Sequence, residues 1–397
     1  MLNKQVLGWS MYDLANTAFS ALFITFFFPV LIKVYLGGNE FHVGLAMGIS
    51  MFLAGIFVPF LGAVSDAVGK RKVFVLIFTL ICVALTSIVA YASLFWALIL
   101  GTLAAFSFHA ALDVYDATLF SVSTKKNIAR VSGYGVALGY LGAVLNLIMA
   151  FVILNYFGWD AKQGVQAIFP ATAIFYILFS IPFFILVKEK ASKIRKPIFF
   201  YIKTALRQLI FTFKNIKRQS SLWFFLLASF LYTDGMNTAI IFLYLYGRET
   251  LSITIKQFFP IFALMAVASS LGALLFGKFG DKFGHKKTLI TILYIWIAII
   301  LLLIIKTNLL NYMIAGVIGG AALGGAWTLT RPMLIDLAPK HKIAELFGFQ
   351  GLTEKFSGVI GPILFGFLVV KYDYFVALSS LVVFFVLGLV LLIKVKK

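Results

Sequence analysis

Apolar runs of about 20 residues recur along the whole chain, and each is long enough to cross a bilayer as an α-helix. The 397 residues are 62% hydrophobic and only 12% charged, whereas soluble globular proteins carry about 25% charged residues. The pattern predicts an all-α polytopic membrane protein. Its twelve transmembrane helices are predicted at residues 6–36, 43–64, 73–92, 94–120, 131–157, 166–187, 221–247, 257–279, 288–305, 309–337, 346–370 and 374–393.

Short motifs give no sign of an enzyme or of a bound metal. The single cysteine, Cys82, falls inside the predicted third span, where a packing role is expected. The spans carry no zinc-type histidine pair, no nucleophile elbow and no phosphate-binding loop. The first apolar run is predicted to be a span rather than a signal peptide, because no short apolar core with a cleavage site precedes it. We therefore predict a protein that is not an enzyme and that needs no cofactor.

The net charge of +20 is explained by topology rather than by nucleic acid. Alternate connections between the predicted spans carry 26 of the 34 Lys and Arg residues, and the other set carries six. The positive-inside rule places the rich set in the cytoplasm, so both termini are predicted to be cytoplasmic. The basic linker at 188–220 mixes cations with aromatic residues and is predicted to lie on the anionic inner membrane surface. The expected location is the cell (inner) membrane of a prokaryote.

Two similar basic turns follow the second and eighth predicted spans, 215 positions apart. Both read Gly-x-x-x-Asp-x-x-Gly followed by basic or near-basic residues, a pattern that permits a tight turn and close helix approach. A third stretch, 116–134, matches 331–349 at the same offset. Six spans are therefore duplicated in parallel, which predicts two six-helix bundles, 1–187 and 221–397. The turns are predicted to gate the cytoplasmic side through Gly62, Asp66, Gly69 and Arg71, and through Gly277, Asp281, Gly284 and Lys287.

The motif Asp-x-x-Asn-Thr-Ala occurs in the first predicted span of each half, as Asp13–Asn16 and as Asp234–Asn237. A carboxylate in hydrocarbon costs roughly 2.5–3.5 kcal/mol on insertion scales, so it usually marks a pathway or a partner. Residues three apart on a helix share one face. The repeated face is expected either to line a shared path or to brace neighbouring helices of its own half, and the sequence leaves both open.

Three ionisable residues share a face of the predicted fourth span, because His109, Asp113 and Asp116 are spaced at i, i+4 and i+7. Two carboxylates on one face cannot both ionise cheaply in a low dielectric. A neighbouring histidine can accept or pass a proton. The group is a candidate for proton coupling, and the alternative is a structural network in which the carboxylates neutralise Arg331 or Lys355.

Arg331 occupies the position in the tenth span that Asp116 occupies in the fourth. A fixed guanidinium can clamp a carboxylate or phosphate, or pair with an acid that releases it on protonation. Thr328 lies on the same helical face, and Glu354 and Lys355 are buried charges of the eleventh span. These groups predict an anionic or zwitterionic substrate. Aromatic residues next to the polar faces are candidates for cavity lining, namely Tyr12, Tyr115, Tyr140, Tyr232 and Trp327.

The paired turns, the duplication and the long central linker resemble the major facilitator superfamily. The stretches 12–19, 130–142 and 347–357 resemble the subfamily of autophagy-linked vacuolar amino-acid effluxers and their bacterial relatives. The resemblance implies a substrate cavity between the halves and rocker-type alternating access. One departure is His285, where the second turn usually carries arginine.

The expected function is secondary active transport of a small polar solute, with an amino acid favoured by the resemblance and proton coupling as the energy source. The chain is expected to work as a monomer. Two alternatives stay open: a lipid or lysolipid flippase on the same fold, and a non-transporting receptor or scaffold. A scaffold would gain stability by losing the buried charges, which argues against the last alternative.

Overall fold

The computed structural model describes residues 3–123, 128–189, 200, 203, 220–337 and 343–396. Only the backbone is described for residues 63, 66, 67, 120, 128–130 and 343–349. Most of the predicted linker at 188–220 and its amphipathic helix thus lie outside the described residues. Every regular element within the described ranges is helical, as the sequence predicts.

Twelve helical stretches among the described residues are long and apolar enough to cross a membrane, which confirms the predicted count. Thirteen helices form these spans, because the eleventh span consists of two helices separated by a turn. The helices are α1 (Lys4–Phe19), α2 (Glu40–Val68), α3 (Arg71–Val89), α4 (Leu94–Asp116), α5 (Ile128–Phe157), α6 (Lys162–Leu186), α7 (Ser220–Leu251), α8 (Ile255–Phe283), α9 (His285–Ile305), α10 (Leu309–Leu337), α11 (Ile343–Phe356), α12 (Ile360–Lys371) and α13 (Tyr374–Lys394).

The first span changes its helical winding after α1. The chain continues as π-helix over Ser20–Phe27, returns to α-helix over Phe28–Val30, and is π-helical again over Leu31–Tyr35. These segments are rich in phenylalanine and mostly buried. π-Helix is uncommon and usually limited to a single turn. The whole span from Lys4 to Tyr35 is therefore longer and wider than a regular transmembrane helix.

The eleventh span is interrupted, although the sequence predicts one continuous helix over 346–370. α11 ends at Phe356 and α12 begins at Ile360, with a turn between them. Gly358, Gly361 and Pro362 surround the break. Glycine weakens a helix, and proline lacks the N–H that a continuing helix requires. Interrupted membrane helices expose backbone N–H groups at depth, and those groups need a partner.

Contacts divide the chain into two compact units. The first unit comprises Met1–Gly38 with Ile49–Arg207, and the second comprises Asn39–Gly48 with Gln208–Lys397. Helix α2 is therefore shared: its first turns cluster with the second unit and the rest clusters with the first. The same helix pairs recur inside each unit. α1 packs on α5 and α6, and α3 on α4 and α6; correspondingly α7 packs on α12 and α13, and α9 on α10 and α13.

Small residues allow the closest helix contacts within each unit. In the second unit, a Cβ built on Gly324 of α10 would collide with the main-chain oxygen of Ser269 of α8. In the same pair of helices, a Cβ on Gly272 would meet the backbone of Ala321. In the first unit, Gly142 of α5 stands equally close to the main-chain oxygen of Leu14 of α1. Association of membrane helices depends on such close van der Waals packing.

Candidate functional site

Asp234 holds the break in the eleventh span. Its side chain is fully buried, and both carboxylate oxygens accept the main-chain N–H of Gly361, at 3.0 and 2.9 Å. Gly361 is the second residue of α12, so the carboxylate lies at the N-terminus of that helix. An anion there satisfies an exposed N–H and interacts favourably with the helix dipole. In this structure Asp234 therefore braces helices of its own unit.

In the first unit, the motif copy Asp13–Asn16 contacts α5, and it does so in a different way. Asp13 is half-buried on α1, and its Oδ1 accepts a hydrogen bond from Asn16 Nδ2 at 3.2 Å. Gly135 of α5 approaches so closely that a Cβ there would collide with Asp13 Oδ2. Helix α5 is continuous at this point, so its backbone N–H groups are already used within the helix. Asp13 has further interactions, but it does not cap a helix as Asp234 does.

The repeated motif thus faces the fifth helix of its own unit in both copies. Thr17 and Thr238, which follow the asparagines, lie next to Gly139 and Gly361 respectively. Thr238 Oγ1 also donates to the main-chain oxygen of Asp234 at 2.7 Å. Asn237 is half-buried, and it makes no side-chain hydrogen bond among the residues that the structure describes. The two asparagines therefore differ, since Asn16 is bonded to its aspartate and Asn237 is not.

The three ionisable residues of α4 follow the predicted helical face. His109 and Asp113 are half-buried, whereas Asp116, the last residue of α4, is exposed. The His109 ring lies 5.1 Å from that of Phe108, edge to face. Each of the three has interaction partners. Of the three, only Asp116 at the end of the helix is exposed.

Helix α10 presents Arg331 on an exposed face. Thr328 and Trp327 are also exposed, and they lie within one turn of Arg331. Thr328 Oγ1 donates to the main-chain oxygen of Gly324 at 2.8 Å. This bond to the preceding turn holds the hydroxyl hydrogen and leaves the oxygen lone pairs for another donor. Arg331 and Thr328 are therefore two exposed residues three positions apart, which places them on one side of α10.

Glu354 and Lys355 lie in the last turn of α11, directly before the break. Both are half-buried and both have interaction partners. Glu354 Oε1 accepts from Gln350 Nε2 at 3.0 Å, while Gln350 Oε1 is buried without a partner among the described residues. Ser357 Oγ donates to the main-chain oxygen of Glu354 at 2.7 Å and helps end the helix. An acidic residue therefore lies on each side of the break. Glu354 belongs to α11, and Asp234 of α7 bonds the first turn of α12.

Three of the five aromatic candidates for cavity lining are packed inside their own units. Tyr12, Tyr115 and Tyr232 are all completely buried. The Tyr12 hydroxyl lies 2.7 Å from Thr79 Oγ1 and 3.0 Å from the Tyr176 hydroxyl. The Tyr115 hydroxyl donates to the main-chain oxygen of Trp9, and that of Tyr232 bonds Thr330. Tyr140 is half-buried and Trp327 is 39% exposed, so only these two remain accessible.

The two basic turns are stabilised by matched pairs of residues. In the first unit, Arg71 donates to the main-chain oxygen of Ala117 at 2.8 Å, and Lys72 donates to those of Phe184 and Val187. In the second unit, His285 Nδ1 lies 2.8 Å from Asp336 Oδ2, and Lys286 donates to the oxygens of Ile393 and Val395. Cations at helix C-termini satisfy the last carbonyls and favour the dipole. Each turn thus ties the third helix of its unit to the ends of the fourth and sixth.

The equivalence of Lys72 and Lys286 changes the alignment of the two turns. Gly69 aligns with Gly284 at an offset of 215, whereas these two lysines are 214 positions apart. α3 begins two residues after Gly69, but α9 begins directly after Gly284. The residue equivalent to Lys72 is therefore Lys286, and the predicted Lys287 is exposed. Asp281 lies 3.8 Å from His285 Nε2. The side chain of Asp66 lies outside the described part of the chain.

Only the second glycine of the first turn is expected to matter for stability. Gly69 has a φ of +66°, whereas a Cβ on Gly62 would meet nothing within 4 Å. Gly69→Ala should destabilise the protein by about 1–2 kcal/mol, because a left-handed backbone is strained for alanine. Gly62→Ala should be neutral or stabilising, since alanine favours a helix. Thermal unfolding of the two purified variants checks this, and equal melting temperatures would contradict it.

Several residues of these sites were missed in the sequence analysis. Lys72 and Lys286 were counted only as loop charge, and Glu40 was placed in a connection although it is buried. Thr79 and Tyr176, whose hydroxyls lie next to that of Tyr12, were not among the predicted residues. The stretch Ser-Gly-Val-Ile-Gly-Pro at 357–362 was a usable signal for the helix break, because Gly and Pro interrupt helices.

Comparison with known proteins identifies relatives along most of the chain. Residues 121–397 match the family model described as "Vacuole effluxer Atg22 like". The chain is 29% identical to an uncharacterized MFS-type transporter, YxiO, of Bacillus subtilis, over 98% of this chain and 94% of the relative. It is 24% identical to autophagy-related protein 22 of Yarrowia lipolytica, over 64% of this chain and 48% of that protein.

Solved transporter structures share the fold. A variant of the nucleoside transporter NupG has a TM-score of 0.79, with 14% sequence identity and 100% of both chains covered. A bacterial homolog of the human lysosomal transporter Spinster has a TM-score of 0.72 at 14% identity, covering 98% of this chain and 95% of that one. At this identity the likeness establishes the fold alone.

Proposed function

The chain belongs to the Atg22-like vacuole effluxer family, a family of multi-pass membrane transporters of the major facilitator type, and from that premise we propose that it is a secondary active transporter of a small polar solute. The observation that carries the proposal is a duplicated twelve-span chain that keeps ionisable residues, Asp113 and Arg331 among them, within its membrane spans despite the cost of charge in hydrocarbon. Transport proceeds by alternating access. The energy comes from an ion gradient, with protons favoured.

The proposed substrate carries an anionic or zwitterionic group, as an amino acid does. Arg331 supports this, because its guanidinium is exposed on a helix of a membrane-spanning bundle. A guanidinium presents a planar fork that matches a carboxylate through two parallel hydrogen bonds. Thr328, on the same face, supplies a hydroxyl oxygen that could accept a bond from an ammonium group. The pair is thus complementary to both ends of a zwitterion.

The proposed coupling residues are His109, Asp113 and Asp116 of α4, with Asp13 of α1. The three residues of α4 follow one helical face from a half-buried to an exposed position. This spacing suits stepwise proton transfer, since each group is within about two turns of the next. Asp234 is a weaker candidate, because both of its oxygens are already bonded to Gly361.

Uptake by purified protein in proteoliposomes tests the proposal. A panel of amino acids is offered with and without a pH gradient, and nucleosides serve as a second panel because of the fold shared with NupG. Accumulation of an amino acid that depends on the gradient would support the proposal. Flux of nucleosides alone would overturn the substrate class, and no flux of either panel would count against solute transport.

Arg331→Ala is predicted to raise the apparent Km for uptake of a carboxylate substrate while leaving expression and melting temperature unchanged. The side chain is exposed, so its loss removes a binding partner and little packing. Loss of a bidentate charged contact should weaken binding at least about tenfold. Arg331→Lys is the matched control, since it keeps the charge but loses the fork, and it should be partly active. Unchanged apparent affinity in Arg331→Ala would contradict the assignment.

We also propose that the protein lies in a bacterial inner membrane with both termini in the cytoplasm. The uneven distribution of Lys and Arg between alternate connections supports this orientation. A reporter fused to either terminus that is active only in the cytoplasm would test it. Activity of a reporter that requires export would overturn the orientation.

A further inference from the structure

A cavity of about 60 Å³ lies inside the second unit. It is lined by α7, α8, α9, α10, α12 and α13, and its walls are almost entirely apolar. One water-sized group needs about 10–15 Å³ of such space, so the cavity has room for several. The described residues that line it include none of those proposed for transport.

The cavity is elongated along the helices. On α7 its lining extends from Ala239 to Tyr246, and on α9 from Trp296 to Leu303. Seven residues of α-helix rise about 10 Å, so the cavity follows the bundle over that length. Its shape suits a narrow, flexible molecule. A polar solute would lose its bonds to water there, because the walls offer almost no donor or acceptor.

Stacked aromatic rings keep the cavity open. The Trp296 ring stacks on that of Phe385 with centroids 5.2 Å apart, and the Phe242 ring stacks on that of Phe365 at 4.7 Å. Trp296, Phe242 and Phe365 line the cavity, and they cannot turn inward without losing the stacking. An empty cavity is costly, because its lining atoms lack van der Waals partners. A molecule that fills it therefore stabilises the unit.

One side of the cavity is less closely covered than the rest. The lining residues of α9, α12 and α13 are buried, whereas Ile240 and Leu243 of α7, Met265 of α8 and Leu323 of α10 are half-buried. The entrance therefore lies between α7, α8 and α10. These helices also carry exposed apolar side chains along their spans, such as Leu264 at 50%, as expected for helices in contact with lipid chains.

We propose that this cavity binds a single alkyl chain, supplied either by a membrane lipid or by a free fatty acid, while the polar group of that molecule stays outside the entrance. Empty cavities with apolar walls stay dry and take up apolar molecules. Each methylene buried in the cavity strengthens binding about fourfold. The site is separate from the residues proposed for transport, since Arg331 lies eight residues beyond Leu323, about 12 Å along α10.

Photolabelling of the full chain in proteoliposomes tests the proposal. One probe is a long-chain fatty acid with a diazirine within its chain, and the other is a phosphatidylcholine that carries the same acyl chain. After irradiation, mass spectrometry identifies the labelled residues. Both probes should mark exposed residues of the spans, such as Leu301 and Ile318. At least one probe should also mark the cavity residues Leu303 and Leu381, and the probe that does so identifies the source of the chain.

Two substitutions fill the cavity from different helices. Ala239→Leu on α7 and Ala315→Leu on α10 each enlarge the side chain of a lining residue. Because each displaced methylene weakens binding about fourfold, either variant should reduce labelling of the cavity residues at least about tenfold. Labelling of the exposed residues should not change. Ala298→Leu is the matched control, since Ala298 is exposed on α9 and the variant should label as the native chain does. Melting temperatures identify any variant that fails to fold.

Competition in the native chain keeps the test independent of the variants. Excess fatty acid without a diazirine should suppress the labelling of Leu303 and Leu381 far more than that of Leu301. Labelling confined to exposed residues would overturn the proposal, as would equal labelling of the cavity residues in the native chain and in both filled variants. The measurement involves no transport, so a failed uptake assay would count against the solute class alone and leave this site in place.

Discussion

Asp234→Ala is expected to destabilise the second unit by about 2–4 kcal/mol. The substitution leaves the buried N–H of Gly361 without a partner and removes the anion at the N-terminus of α12. An unsatisfied buried donor costs about 1–3 kcal/mol, and the favourable helix-dipole interaction adds up to about 2. In a membrane no water replaces the lost partner. Thermal unfolding in detergent, followed by tryptophan fluorescence, should show a clearly lower melting temperature.

Asp234→Asn separates a brace from a pathway residue. The amide oxygen can still accept from Gly361, so this variant should keep most of the stability that alanine loses. If Asp234 is only a brace, Asp234→Asn should also keep transport and its pH dependence. Asp13→Asn is the matched variant in the first unit, where the aspartate does not cap a helix and stability should change less. Equal losses of stability in Asp13→Ala and Asp234→Ala would contradict the capping role.

Gly324→Ala should also destabilise the second unit, by about 1–3 kcal/mol or more. The added methyl group would collide with the main-chain oxygen of Ser269, and a backbone atom cannot turn away as a side chain can. α8 and α10 would have to separate, and the nearby contact of Gly272 with Ala321 would loosen with them. A leucine at position 324 should prevent folding of the unit. The amount of monodisperse protein after size exclusion, together with its melting temperature, measures both effects.

Gly133 provides the control for this prediction. It lies on α5, and a Cβ there would meet nothing within 4 Å. Gly133→Ala should leave stability unchanged or raise it by up to about 1 kcal/mol, the ordinary gain of alanine over glycine in a helix. If Gly133→Ala were as harmful as Gly324→Ala, close packing of α8 and α10 would not be the reason for the loss.

The fold was predictable because a bilayer permits few solutions. Long apolar runs must be helices, and two matching turns at an offset of 215 reveal the duplication. The structure confirms twelve spans among the described residues. The break in the eleventh span was not predicted, because its apolar residues continue through the turn. Hydropathy measures how favourably side chains transfer into lipid. It does not show whether the helical backbone hydrogen bonds continue without interruption.

The candidate residues were predicted less completely, for a physical reason. Sequence spacing places Asp234 on a helical face, but it does not show that the partner is a backbone N–H 127 positions away. Glu40 was missed since it precedes the apolar run, although Gly366 and Tyr374, more than 300 positions away, pack against it and it is buried. Burial by another element is a tertiary property. Conversely, Tyr12 and Tyr232 were assigned to a cavity because they neighbour polar residues, whereas their hydroxyls bond within their own units.

The π-helical part of the first span explains why the two halves are offset by 221 residues at the aspartate but by 215 at the turn. From Asp13 to the end of its span at Tyr35 there are 22 residues, and from Asp234 to Leu251 there are 17. The next connections differ by one residue, and Glu40 to Gly69 is as long as Ile255 to Gly284. Five of the six extra residues therefore lie inside a membrane helix. The wider winding accommodates these residues within the first span, so the gap in an alignment of the two halves falls inside that span.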